Sequence, residues 1–325
     1  MLETGLEKKI LPGSQETIPA AISDIGCERE INEDRYAVID SPAGRAWVVC
    51  DGMGGVSGGD LAAELAIKAI RRALEGRDFE SPEPAVRAAI EEANRVIVLR
   101  RQNPAFASMG TTVAGVITQG NHWVIAHAGD SRVYLVRGGA IQQLTKDHTY
   151  VQELVDKGLI AKEEAMSHPQ AHVLTRCLGA GPQLSLDVKH LWCWESSEEV
   201  SEDKIVICSD GLYSLVDDWE IAEAVANGSP QDSCVSLVEM ARGRGGYDNI
   251  TVAVLPVPGE LRDEDPGYRT ESPYEDLKRR ALVETGKVSS SELAAQLVKQ
   301  LFMMLILMLI GSFATLLVMI FQSVG

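Results

Sequence analysis

Apolar, β-branched runs that stop at an aspartate are the feature that most narrows what this chain can fold into. Trp47-Val48-Val49-Cys50 leads into Asp51, while Trp123-Val124-Ile125-Ala126 and Ile205-Val206-Ile207-Cys208 lie just before Asp130 and Asp210. A strand that ends in Asp beside Gly delivers a carboxylate to a sheet edge and frees the backbone to turn. Two further acidic motifs, Arg29-x3-Glu33-Asp34 and Asp248-Asn249, add to the set. Carboxylates gathered without cations repel one another, so a cluster of them is stable mainly when metal ions occupy it. Taken singly, each Asp-Gly reads as well as an ordinary turn.

The periodicity around these motifs places strands at 21–25, 36–39 and 46–50, then helices over 58–74 and from Ser81-Pro82 to Arg100. Strands at 111–118, 123–127, 132–137 and 141–144 follow, with a short helix at 149–158 and a polar stretch to Gly181. Strands at 184–190 and 204–208, helices at 218–226 and 231–241, and a strand at 250–255 complete the pattern. Elements come in blocks rather than strict alternation, which favours an α+β fold over a doubly wound parallel sheet.

The 325 residues suffice for one large domain plus appendages, and a net charge of −17 excludes a nucleic-acid groove, which needs clustered Lys and Arg. The six cysteines are widely spaced with no Cys-x-x-Cys pair, a pattern of buried, reduced thiols in a cytosolic domain. Leu301 to Phe321 contains no charged residue. That is the length a helix needs to cross a hydrocarbon core of about 30 Å; a buried core helix is the alternative. Lys278, Arg279, Arg280, Lys287 and Lys299 lie on its N-terminal flank, so the positive-inside bias predicts a single-pass C-terminal anchor with the large domain in the cytoplasm.

In their order along the chain, the acidic motifs resemble those of the metal-dependent, type 2C Ser/Thr protein phosphatases of bacterial type. The resemblance runs from about Ile18 to Pro256 and includes Arg29 with Glu33-Asp34, Asp51-Gly52-Met53-Gly54-Gly55 and Met109-Gly110-Thr111-Thr112. It continues through Gly129-Asp130-Ser131, Leu144-Thr145-Lys146-Asp147-His148-Thr149, Leu174-Thr175-Arg176, Ser209-Asp210-Gly211 and Asp248-Asn249-Ile250-Thr251. It implies a four-layer α-β-β-α sandwich of two mostly antiparallel sheets flanked by helices, with metals at one end. The expected plan is a flexible lead-in over 1–17, the phosphatase domain over 18–258, a charged juxtamembrane linker over 259–299 and a transmembrane helix over 300–321.

The resemblance also implies the site. Asp51 would bridge two ions, Mn2+ or Mg2+, with Asp34, Asp210, Asp248 and the Gly52 carbonyl as further ligands, Glu33 in support, and Asp130 joining Asp210 on a third ion. All-oxygen donors select such hard cations. Arg29 would clamp the phosphoryl group of phosphoserine or phosphothreonine proteins, which include a cognate kinase or its substrates, while a bridging hydroxide attacks phosphorus. A surface ion pair with Glu33 is the alternative role for Arg29. Some members place a His after the Asp-Gly as general acid; here that residue is Met53, which cannot donate a proton. His148 is one candidate replacement or else a turn-capping residue, and His127 reads as core. Asn249 reads as a loop fastener, and 150–181 occupies the position of the family's flap beside the site. The competing readings are an inactive, binding member of the fold and a hydrolase of small phosphate esters.

Overall fold

In the computed structural model the described residues are 18–54, 58–194 and 203–264. Strands are β1 Ala20–Asp24, β2 Asp34–Ser41, β3 Gly44–Met53, β4 Gly110–Thr111, β5 Val113–Gln119, β6 His122–Ala128, β7 Arg132–Arg137, β8 Ala140–Gln143, β9 Asp187–Trp194, β10 Lys204–Cys208, β11 Ile250–Pro256 and β12 Glu260–Arg262. Helices are α1 Gly59–Glu75, α2 Pro82–Arg100, α3 Tyr150–Asp156, α4 Lys162–Ala165, α5 Asp210–Tyr213, α6 Asp218–Asn227 and α7 Pro230–Gly243. One sheet has the order β1-β11-β10-β7-β8; the other runs β12-β9-β6-β5-β3-β2, with β4 paired to β3. All these pairings are antiparallel.

The layering follows from period-2 alternation along strands buried on both faces. On β3, Ala46, Val48 and Cys50 pack towards α1 and α2, whereas Trp47 and Val49 enter the core between the sheets. On β10, Ile205 and Ile207 enter that same central core, whereas Val206 and Cys208 pack towards α6 and α7. Three apolar layers therefore hold four structural layers together, in the order α-β-β-α. Both faces being apolar, the strands read as continuous hydrophobic runs in the sequence.

The helices show why their sequences suit these positions. In α1, Ala62, Ala63, Ala66, Ala69, Ile70 and Leu74 form one buried stripe at helical spacing. Its alanines face Ala85, Ala89 and Ala93 of α2 within the same core, and such small side chains let two helices approach closely. Ser229 caps α7, its hydroxyl accepting from the Asp232 amide at 3.2 Å, with Pro230 in the first turn.

Several expected boundaries move. β9 begins at Asp187 rather than 184 and continues beyond His190 to Trp194, because Leu191 and Cys193 point into the central core. The sheet takes in β12, past the expected domain edge at 258, and Leu261 is buried there. The one-turn helices α4 and α5 fall where no periodicity foretold them, being too short to show any. Contacts divide the chain into a unit ending at Pro266 and another from Gly267 onward. The expected lead-in over 1–17, most of the linker and the membrane span over 300–321 lie outside the described residues. Among the described residues no helix is long and apolar enough to cross a membrane.

Candidate metal centre

Antiparallel pairing brings the scattered acids together. Strand starts and strand ends alternate along one edge of such a sheet, so β2, which begins at Asp34, lies opposite Asp51 near the end of β3. The ends of β6 and β10 deliver Gly129-Asp130 and Ser209-Asp210, and the start of β11 follows Asp248-Asn249. A cleft of about 540 Å³ opens there, lined by Glu30, Glu33, Asp51, Asp130, Asp210 and Asp248. Arg29 and His172 are the cationic side chains of its lining, which also includes Gly52, Met53 and Thr112. Asp34 lies beneath it, 2 % exposed.

The flanking motifs hold these carboxylates in place. The Asp51 carbonyl accepts from the Thr111 hydroxyl at 2.8 Å and the Thr112 amide at 2.8 Å, and the Asp51 amide donates to the Thr112 hydroxyl at 2.9 Å. Gly52 has no room for a side chain: a Cβ there would overlap the Gly59 carbonyl. Ser209 donates from its hydroxyl to Asp34 Oδ2 at 2.7 Å and accepts from the Thr251 amide at 3.0 Å, tying the two sheets at the floor. Asn249 fastens the loop before β2, accepting from the Glu33 amide at 2.8 Å and donating to the Ile25 and Ile31 carbonyls. It thus does what a loop-fixing Asn was expected to do.

Glu33 accepts from the Gly59 amide at 3.2 Å, at the amino end of α1, where the helix dipole favours an anion. The Arg29 guanidinium lies 2.8 Å from Asp248 Oδ2 and 4.0 Å from Glu33. The neighbouring Glu is therefore its second partner, and its first is an expected metal ligand.

Burial, reinforced by like-charge repulsion, dominates the electrostatics. Burial raises the Asp34 carboxyl to about 7, with Asp210 and Asp248 adding to the rise and the Ser209 hydroxyl opposing it. Asp51 keeps part of its surface open to the cleft, yet the chain surrounds its carboxyl closely. Desolvation holds its pKa well above the ordinary value, reinforced by Asp34, Asp210, Asp130 and Asp248. Asp130 is raised well above its ordinary value for the same reasons, burial first and Asp210 second. Asp210 Oδ1 is buried with no hydrogen-bond partner. An orphaned buried carboxylate oxygen among like charges is the condition that a divalent cation relieves, and the carboxylate-rich lining fits Mn2+ or Mg2+.

Sequence reasoning missed His172. Its Nδ1 lies 3.2 Å from Asp210 Oδ2, and together with Asp130 the three residues bring ligand atoms within 4.8 Å of one another. The hydrogen bond to Asp210 raises its pKa. The one signal available was its place in the flap-like segment between two family motifs. Tyr213, whose hydroxyl donates to the Asp130 carbonyl at 3.1 Å, was missed because α5 itself was. His148, by contrast, does not line the cleft: its Nδ1 accepts from the Gly129 amide at 3.2 Å and its Nε2 lies 3.1 Å from Asp187 Oδ2. It props the loop that presents Asp130.

His127 is core, as expected, donating from Nε2 to the Gly129 carbonyl at 3.0 Å. Burial, then the neighbouring His148, pushes its pKa down to about 4 from an ordinary 6.5. Such a His is neutral when folded but takes up a proton when unfolded, so its contribution falls as pH drops through 6.5 and is lost progressively down to 4. The loss is on the order of 3 kcal/mol at the acid end. Melting curves in chelator from pH 8 to 5 should show His127→Gln losing less stability with acid than the parent; parallel curves would contradict this assignment.

A four-layer sandwich thus carries a carboxylate-lined cleft at one end of its sheets. The chain belongs to the protein phosphatase 2C family, whose model matches residues 28–233. It is 37% identical over 241 residues to the serine/threonine protein phosphatase PstP of Mycobacterium tuberculosis, covering 73% of this chain but 44% of that protein. Against the serine/threonine phosphatase stp of Listeria monocytogenes it is 34% identical, covering 72% of this chain and 93% of that one. The solved catalytic domain of PstP with two manganese ions superimposes with a TM-score of 0.63 at 34% identity, over 74% of this chain and 97% of that domain.

Proposed function

We infer that the chain is a Mn2+- or Mg2+-dependent phosphatase of phosphoserine and phosphothreonine proteins. The observation that carries this reading is the convergence of Arg29, Asp51, Asp130, Asp210 and Asp248 on one cleft, in a family whose mycobacterial member was solved with two manganese ions. Asp51, Asp34, Asp210, Asp248 and the Gly52 carbonyl would hold two ions with Asp51 shared, and Asp130 with Asp210 a third. When bound, the ions supply charge neutralisation at the phosphoryl group and an activated water.

The chain's own residues divide the remaining tasks. Arg29 swings from Asp248 to the phosphoryl oxygens, pairing two N–H donors with them. Asp210 and His172 face one another across the cleft wall, and the His172 imidazole takes the part that Met53 cannot, protonating the leaving Ser or Thr oxygen. Thr111 and Thr112 keep the Asp51 backbone from shifting as the site fills.

Two tests follow. Phosphate release from an aryl phosphate should require Mn2+, and phosphopeptides should be turned over faster than small metabolite esters under the same conditions; preference for metabolites would assign a different substrate class. Arg29→Ala should raise KM for a phosphopeptide about tenfold with a smaller change in kcat. An unchanged KM with a collapsed kcat would place Arg29's contribution in the transition state alone.

Membrane tethering through 300–321 belongs to the same proposal, supported by the uncharged run and its basic flank. It would hold the cleft at the cytoplasmic face, near membrane-associated phosphoproteins such as a cognate kinase or its substrates. Removing residues from 291 onward should yield a soluble protein with full turnover; a truncated form that stays with the membrane fraction would remove the anchor.

A further inference from the structure

A second cavity of about 670 Å³ lies beside the metal cleft, and His172 lines both, so the two adjoin at that residue. One bank is the α3–α4 segment, with Val151, Val155 and Met166; the other is the β7–β8 hairpin and the start of α6, with Ile141 and Trp219. Trp219 is 62 % exposed and Met166 is 46 % exposed. Trp219 does not serve the core, since α6 packs inward through Ile221, Ala222 and Val225.

The charged groups of the groove are unevenly disposed. Arg132 is held by Asp147, with Nη2 to Oδ2 at 2.6 Å, and its guanidinium stacks 3.6 Å above the Tyr213 ring. That pair cancels and offers no free cation. Asp217 and Asp218 then stand against Lys162, an excess of one negative charge along the rim. The size suits one or two side chains of an extended peptide, and exposed Trp is the side chain most often found anchoring such contacts.

We propose that this groove is the subsite for the substrate residues flanking the phosphorylated one. It takes a bulky apolar side chain against Trp219 and Met166, with a Lys or Arg beside it facing Asp217 and Asp218. The proposal rests on the phosphoprotein phosphatase reading above, and names the sequence class that site prefers. An extended chain advances about 3.3 Å per residue, so a groove that adjoins the cleft at His172 is reached within a few positions of the phosphorylated residue.

The test uses the full chain with Mn2+ and phosphothreonine peptides carrying Leu or Ser two to four positions away on either side, each with an adjacent Arg or Glu. The Leu–Arg peptides should be favoured over Ser–Glu peptides by about tenfold in kcat/KM. Trp219→Ala should abolish that preference through KM while leaving aryl phosphate turnover unchanged. Equal rates across the peptides, or a Trp219→Ala variant that keeps the preference, would overturn the proposal and leave the phosphatase reading standing. Unphosphorylated Leu–Arg peptide binding as tightly as its phosphorylated form would assign the groove to a non-substrate partner and also overturn it. If nothing is turned over, the phosphatase reading fails, and fluorescence polarisation with the same peptides decides the groove: weaker binding to Trp219→Ala supports it, and equal binding overturns it.

Discussion

Asp51→Asn is expected to lower turnover about a thousandfold or more, while making the metal-free chain more stable to heat. The two effects have one cause. A carboxyl whose folded pKa lies above its unfolded value opposes folding once it ionises. The penalty is absent below the ordinary carboxylate range, grows as pH rises through it, and is fully present above the folded value. Asp51 is such a group, desolvated and surrounded by Asp34, Asp210, Asp130 and Asp248. Near neutral pH the Asn variant sheds that penalty, and its advantage should shrink as the solution is acidified towards pH 4. With Mn2+ the order reverses: the parent gains thermal stability from the bound ions and the variant gains less. Melting temperatures with chelator and with Mn2+, beside kcat on a phosphopeptide, check both halves. A variant with near-parental turnover, or one less stable than the parent in chelator, would contradict this account of Asp51.

Gly211→Ala should be among the most damaging single-methyl changes at the site. The added Cβ would fall inside the Asn249 backbone carbonyl and would touch the Asp248 Cβ at 3.4 Å. Asn249 is buried and pinned through its amide to the Ile25 and Ile31 carbonyls. The expected cost is on the order of 3 kcal/mol, a fall of roughly 6–12 °C in melting temperature for a domain of this size. Relief of the overlap should push Asp248 away from Asp210, so Mn2+ affinity should fall with stability. Gly181→Ala, where a Cβ meets nothing within 4 Å, is the control. Equal melting temperatures for the two variants would show that the Gly211 contact relaxes without consequence.

The sandwich was readable because strands such as β10 present apolar residues to both faces, and the carboxylates because strand ends lead into them. Antiparallel order within each sheet, and the packing of the two sheets, explain why residues as distant in sequence as Asp34 and Asp248 meet at one end of the sandwich. What escaped was carried by elements too short to have a period. Asp210 opens the single turn α5, which also aims Tyr213 at Asp130. His172 sits in a stretch without strong periodicity, outside the family motif that drew attention to His148. Only the fold separates them, placing one at Asp210 and the other behind Gly129. The threonines of Met109-Gly110-Thr111-Thr112 matched a family motif, but their task of gripping the Asp51 backbone depends on β4 and β5 lying beside β3.

The most direct test is phosphate release from a phosphothreonine peptide by the chelator-treated full chain as Mn2+ is titrated in, with Mn2+ binding followed in parallel by thermal shift. Turnover should be absent without the metal and rise to saturation as the thermal shift saturates. Turnover that persists under chelation, or saturated Mn2+ binding with no phosphate released from any peptide, would contradict the central claim.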